Sequence, residues 1–177
     1  MFHRSGDQIL TAEHDERALI WDARTGGQIH VLGKTDRHRK SVNWAIFDPS
    51  GKRAATVSDD ETARIWNVAD GTPIGRPLQN DTGEWVLGAA FHPTQDILVT
   101  STLKGKLYFW DLQRSRLLAI RHAHNGDYIY SVAFDPSGTR LVTASRDQTA
   151  AVHPASIDHQ ATIDRARAVM SRIGSKP

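Results

Sequence analysis

The chain of 177 residues contains no cysteine, which excludes a disulfide framework and cysteine-based zinc sites and suits a reducing, cytoplasmic setting. Long apolar runs are missing too: none approaches the roughly 20 residues of a spanning helix. The opening Met1-Phe2-His3-Arg4-Ser5-Gly6 has no apolar signal-peptide core. No membrane role is expected. An excess of charge of one sign is also lacking, because 22 Lys and Arg against 20 Asp and Glu leave a formal net charge of +2. The sequence pI of about 9.1 is therefore a weak argument for nucleic acid. What the chain does have is 39% hydrophobic residues, enough to fill the core of one domain of this length.

Residues 38–67, HRKSVNWAIFDPSGKRAATVSDDETARIWN, contain the unit on which the rest is patterned. A strand-like run ends at Asp48-Pro49-Ser50-Gly51, where proline presets φ and glycine accepts positive φ. A second run ends at Asp59-Asp60-Glu61 and a third closes on Ile65-Trp66. Short runs rich in Val, Ile and Trp between turn residues predict an antiparallel meander. The unit recurs. Trp21, Trp66 and Trp110 stand 45 and 44 residues apart, and a further 43 lands on His153. Phe47-Asp48-Pro49, Phe91-His92-Pro93 and Phe134-Asp135-Pro136 keep spacings of 44 and 43, and Phe2-His3-Arg4 holds the same place in the first copy.

These residues resemble the WD40-repeat β-propellers, whose repeat of about 40 to 45 residues carries Gly-His near its start and Trp-Asp at its end. LIWD at 19–22, RIWN at 64–67 and FWD at 109–111 look like that ending, and FDPSG at 47–51 and 134–138 looks like the turn between strands a and b. The resemblance covers residues 1 to about 153. It implies an all-β fold, a partial or open propeller of about four blades at roughly 1–33, 34–78, 79–121 and 122–154. Strands a, b, c and d are predicted at 42–47, 53–58, 62–67 and 73–79 in the second unit, and at 85–91, 96–101, 106–111 and 116–121 in the third. The first unit has b, c and d at 8–12, 17–22 and 28–32 and lacks a. The fourth has a, b and c at 129–134, 140–145 and 149–153 and lacks d.

After Pro154 the pattern changes. Ile163, Ala166, Val169, Met170 and Ile173 fall at helical spacing. Ser156 or Asp158 could cap such a helix and Gly174 could stop it. Residues 155–177 are thus expected to form a short amphipathic helix, resembling tails that follow the last blade in some bacterial multidomain WD40 proteins.

Several residues invite a chemical role. His38, Ser58 and Asp60 are the types of a hydrolase triad. By resemblance, the same residues with Trp66 form the family's structural tetrad, in which Asp bonds His, His reaches the hydroxyl and Trp closes the line. In the third unit Thr82 and Lys104 replace His and Asp, so that blade is expected to lack its network, and the fourth keeps Ser145 and Asp147 but loses Trp. Residues 27–35, GQIHVLGKT, miss the P-loop spacing by one residue, and no helix pattern follows. His122 and His124 with Asp127 offer at most a weak metal site, and no cofactor is expected. Arg37, Arg39 and Lys40 are the densest basic cluster, by default a solvated loop and as a minority reading a phosphate or acidic-peptide contact.

The resemblance implies a noncatalytic protein-interaction scaffold, with partner contacts on the top face at His14, Asp59, Leu103 and Arg146 and at Ser41, Trp85 and Tyr128. Trp85 and Tyr128 have the aromatic area typical of interface anchors. The alternatives are a hydrolase using Ser58, His38 and Asp60, or a weak nucleic-acid or phosphate binder. With strand a missing at one end and d at the other, the chain is expected to be the C-terminal part of a longer propeller, or to pair its open ends with a second copy.

Overall fold

The computed structural model describes residues 1–34, 36–80 and 83–156. Among these residues the chain is all β, with strands in four antiparallel sheets and no helix. The first sheet is β1 (Gln8–Ala12), β2 (Ala18–Asp22) and β3 (Gln28–Leu32), paired in chain order. The second runs β4 (Val42–Phe47), β5 (Arg53–Ser58), β6 (Thr62–Asn67) and β7 (Leu78–Gln79). The third comprises β8 (Val86–Phe91), β9 (Ile97–Thr102), β10 (Lys106–Asp111) and β11 (Arg116–His122). The fourth holds β12 (Ile129–Phe134), β13 (Arg140–Ser145) and β14 (Ala150–Pro154).

These bounds match the sequence expectation closely except for the outer strand of the second sheet. There only Leu78–Gln79 pairs as a strand, beside an isolated bridge from Trp66 to Pro73. Pro73 and Pro77 offer no N–H to a ladder, and Gly75 between them turns the chain at φ 72°. In the first sheet the missing strand is represented by a stub: the Met1 amino group and carbonyl both bond Leu10, and Phe2 bridges Ile9. The helix expected over 155–177 lies outside the described residues.

Three apolar clusters fill the three seams between successive sheets. Leu10, Ile20 and Leu32 pack on Phe47, Ala54 and Trp66. Ile46, Ala55 and Ile65 pack on Phe91, Leu98 and Trp110. Ala90, Val99 and Phe109 pack on Val132 and Leu141. The pairing register makes Ile46–Ala55–Ile65, Ala90–Val99–Phe109 and Ala133–Val142–Val152 equivalent cross-strand rows. The first two rows are buried beneath the following sheet. In the last, Val142 is 45% and Val152 68% exposed.

Repeated turns hold the sheets together at one edge. Asp48 and Asp135 accept the backbone N–H of Arg53 and Arg140 within their own turns, at 3.0 and 2.9 Å. In the first and third units histidine takes that place: its Nδ1 accepts backbone N–H groups of its own turn, and its Nε2 also reaches the next unit. His3 Nε2 contacts the Gly51 carbonyl and His92 Nε2 the Gly138 carbonyl, each at 3.1 Å. Glycine is required there: φ is 77° at Gly51 and 73° at Gly138, and a Cβ would lie 2.0 Å from His3 and 2.4 Å from His92.

Candidate functional site

The polar line of the second blade starts at Asp60, in the turn between β5 and β6. Its carboxylate accepts His38 Nδ1–H at 2.9 Å, the Arg39 amide at 2.9 Å and the Thr62 hydroxyl at 2.6 Å. With Nδ1 carrying the proton, His38 Nε2 accepts from Thr56 Oγ1 at 2.7 Å, and Thr56 in turn accepts Trp66 Nε1–H at 2.8 Å. Burial alone would raise the Asp60 pKa, but the bonds from His38, Thr62 and Arg39 together hold it far below the usual carboxylate range.

The hydroxyl in this line is therefore Thr56, which corrects the assignment to Ser58. Trp66 pairs in register with Ala54, so its indole reaches the diagonal neighbour Thr56, and Ser58 lies one pleat further on. Ser58 instead donates to the Lys40 carbonyl at 3.1 Å and accepts the Asp60 amide at 3.0 Å. His38 has no nitrogen left to activate it. A recurrent spacing could have identified Thr56: Thr11–Trp21, Thr56–Trp66, Thr100–Trp110 and Thr143–His153 are each ten residues apart, and each pair is hydrogen bonded.

The third blade does not lose its network; it builds a different one, contrary to the expectation from Thr82 and Lys104. Glu84 is fully buried and accepts the Thr102 hydroxyl at 2.7 Å and Lys106 Nζ at 2.6 Å. The hydrogen bond that Lys106 donates to Glu84 raises the Lys106 pKa, outweighing the partial burial that opposes it. Sequence reasoning missed Glu84 because the blade conserves a buried carboxylate without conserving the residue that carries it. In the fourth blade His124 bonds Asp147 at 2.8 Å and Thr143 at 2.8 Å, and His153 Nε2 contacts the same Thr143 hydroxyl at 3.0 Å. His153 thus stands where tryptophan stands elsewhere. Burial first, then the charges of His124 and Arg121, lower its pKa.

The other candidates are dispersed. Both ring nitrogens of His124 are engaged, His122 lies exposed on β11, and Asp127 accepts the Tyr128 amide. Among the described residues no three His, Asp or Glu side chains come together as metal ligands. In the segment 27–35, residues 28–32 are strand β3 rather than a helix start. No helix among the described residues is long and apolar enough to cross a membrane.

The residues read as partner contacts come together in pairs. The backbone N–H of Asp59 bonds the Ser41 carbonyl, that of Leu103 the Trp85 carbonyl and that of Arg146 the Tyr128 carbonyl, at 3.1, 3.3 and 2.9 Å. The Ser41 hydroxyl donates to the His14 carbonyl across the first seam at 3.2 Å. Trp85 is 45% exposed, and the Arg146 guanidinium lies over the Tyr128 ring at 5.0 Å. Sequence reasoning passed over Trp44 and Tyr130, both exposed although they sit within β4 and β12. Trp44 lines a basin of about 540 Å³ with Phe2, Phe91 and Phe134.

The WD domain, G-beta repeat family matches residues 28–67, 75–111 and 115–153. Among curated proteins, the transcriptional corepressor LEUNIG_HOMOLOG of Arabidopsis thaliana is 24% identical over 152 residues, 85% of this chain and 18% of that protein. Pre-mRNA-processing factor 19 homolog 2 of the same plant is 34% identical over 144 residues, 80% of this chain and 27% of that protein. The nuclear distribution protein PAC1 of Arthroderma benhamiae is 25% identical over 166 residues, covering 82% of this chain and 35% of its own. The chain therefore spans about a third or less of these relatives. With the family match covering three segments that reach all four sheets, and a Thr-to-Trp or Thr-to-His bond in each sheet, the chain belongs to the WD40-repeat family.

Proposed function

We propose that the chain is a noncatalytic protein-binding scaffold whose partner docks where the turns between strands b and c meet the starts of strands a. The observation that carries this reading is the exposed indole of Trp85, beside Leu103 and on the same side as the Tyr128–Arg146 stack. Large aromatic and arginine side chains left at a surface without covering structure are the usual anchors of interfaces. The names of relatives such as a corepressor and a pre-mRNA-processing factor agree with an interaction role. Catalysis by the second blade's polar line is disfavoured because Thr56, the hydroxyl on His38, is fully buried. We place the chain in a reducing compartment such as the cytoplasm, which its lack of cysteine suits.

The finer partner reading includes self-association. Within the chain, the equivalent rows Ile46–Ala55–Ile65 and Ala90–Val99–Phe109 are covered by faces bearing Trp110 and His153. The face bearing Trp21, only half-buried, is the one a second copy could offer. Sedimentation at rising concentration should show oligomers, and a monomer persisting at high concentration contradicts this. For the docking face, a photocrosslinker at position 103 should capture a partner. Its affinity should fall at least tenfold for Trp85→Ala and Tyr128→Ala, about 1.4 kcal/mol. Unchanged affinity removes these residues from the interface.

A further inference from the structure

The loop between β11 and β12 carries Asn125-Gly126, the one Asn-Gly pair in the sequence. Asparagine is a thermolabile residue type, and its loss of ammonia requires the following backbone nitrogen to reach its Cγ. The other three asparagines are tied down. Asn43 donates to Asp59 and to the Val86 carbonyl, at 2.6 and 2.9 Å. Asn67 accepts the Ala69 N–H and donates to Asp70, and Asn80 is 3% exposed and donates to the Glu84 carbonyl. Asn125 is exposed, and its side chain makes no hydrogen bond among the described residues.

Glycine at 126 leaves the attacking nitrogen unhindered. Its φ is 81°, and even an added Cβ would find no atom within 4 Å, so the peptide has room to rotate. The Gly126 N–H makes one bond, to the His124 carbonyl at 2.7 Å, in a three-residue turn with nothing else to hold it. Asp70-Gly71 is the internal contrast. Gly71 also has positive φ, but its N–H bonds the Asn67 carbonyl at 2.8 Å, and Asp70 accepts the Thr72 N–H and hydroxyl at 2.9 and 2.6 Å.

We propose that Asn125 is a site of spontaneous deamidation, and that its isoaspartyl product loosens the polar line of the fourth blade. The Gly126 nitrogen gives its proton to hydroxide and attacks Asn125 Cγ. Nδ2 takes a proton from water, regenerating hydroxide, and leaves as ammonia, which closes a five-membered succinimide. Water then opens either ring C–N bond. Opening at Cγ gives aspartate; opening at the main-chain carbonyl carbon gives isoaspartate, whose main chain runs through Cβ and Cγ and is one atom longer. Both ends of the loop are pinned, so the added atom has little slack. The Ala123 and His124 N–H groups bond the Gly105 carbonyl at 2.8 and 3.2 Å, and the Tyr128 carbonyl accepts the Arg146 N–H at 2.9 Å. The His124 carbonyl lies against Gly105, where a Cβ would come within 2.3 Å of it. The strain therefore falls on His124, whose ring bonds Asp147 and Thr143 at 2.8 Å each.

Peptide mapping of the intact chain by mass spectrometry, during incubation at neutral and alkaline pH, tests the chemistry. The amide-to-acid mass gain should appear at residue 125 and at no other asparagine, and its rate should rise in proportion to hydroxide. Isoaspartate is read by enzymatic methylation of its free α-carboxylate. The rate in the folded chain should stay within about tenfold of the rate in urea, whereas Asp70 should isomerise in urea and stay intact when folded. Asn125→Gln, which would have to close a six-membered ring, should keep the fold and abolish the gain. A folded rate below that range, or conversion of Asn43, Asn67, Asn80 or Asp70 as fast as that of Asn125 in the folded chain, overturns the site. The His124 ring N–H resonance tests the second part. It should shift as isoaspartate forms and stay in place in freshly prepared Asn125→Asp, which adds the charge without the extra atom. An unmoved resonance, or the same shift in both, overturns the coupling to the fourth blade and leaves the deamidation standing.

Discussion

The second and fourth blades share one plan, with histidine, threonine and aspartate in equivalent places, and differ at the strand that closes the line. In the second, Trp66 is 1% exposed, donates to Thr56 and fills the first seam with its ring. In the fourth, His153 makes the corresponding bond to Thr143 but is only partly buried, and the row through Val142 and Val152 faces outward. The same polar line is thus preserved with and without a sheet on either side of it. What differs is the apolar burial around it, so the hydrogen bonds position the strands and the seams supply most of the stability.

Placing a charge on each row gives the widest separation between the two blades. Ile65→Lys buries an unpaired ammonium in the second seam and should cost more than about 4 kcal/mol, enough to unfold the chain, whereas Val152→Lys should stay within about 0.5 kcal/mol. Urea unfolding followed by circular dichroism reads both. Removing the closing residue comes next. Trp66→Ala should cost about 3–5 kcal/mol through the cavity it leaves, and His153→Ala about 1 kcal/mol through one hydrogen bond. Comparable losses at the two positions would erase the distinction.

A smaller effect sharpens the network itself. Thr56→Val strands the buried Trp66 N–H and His38 Nε2, at about 1–3 kcal/mol, while Ser58→Ala should cost about 1 kcal/mol or less. The indole N–H resonance of Trp66 should move with the first substitution and not with the second. The smallest effect is in pH. The folded pKa of His153 lies below that of an ordinary histidine, so the neutral form is favoured on folding. Its contribution is fully present above the unfolded pKa and is lost as the pH falls from there toward the lower folded value. Groups facing the ring are Thr143 and His124, with Arg121 nearby. His153→Trp should therefore lose less stability between neutral and mildly acidic pH than the unmodified chain, as read by thermal melts.

Most of the fold was legible because the repeat supplies its own controls. Thirteen of the strand positions follow from landmarks that return every 43 to 45 residues, and only the outer strand of the second sheet shrank, at two prolines whose missing donors were visible in the sequence. The site was less legible. Thr56 and Ser58 lie on the same face of β5, and residue type cannot choose between them; the register of Trp66 against Ala54 does. Glu84 escaped because its carboxylate enters from the loop before β8 and meets Lys106 and Thr102, a pairing outside the His–Asp pattern.

Native-state hydrogen exchange tests the central claim, that seam burial rather than the polar line sets local stability. The amides of Thr56 and Arg64, a hydrogen-bonded pair of the second blade, should exchange only through global unfolding, and those of the equivalent pair Thr143 and Ala151 should exchange through cheaper local openings of the fourth blade. Equal protection of the two sets would contradict it.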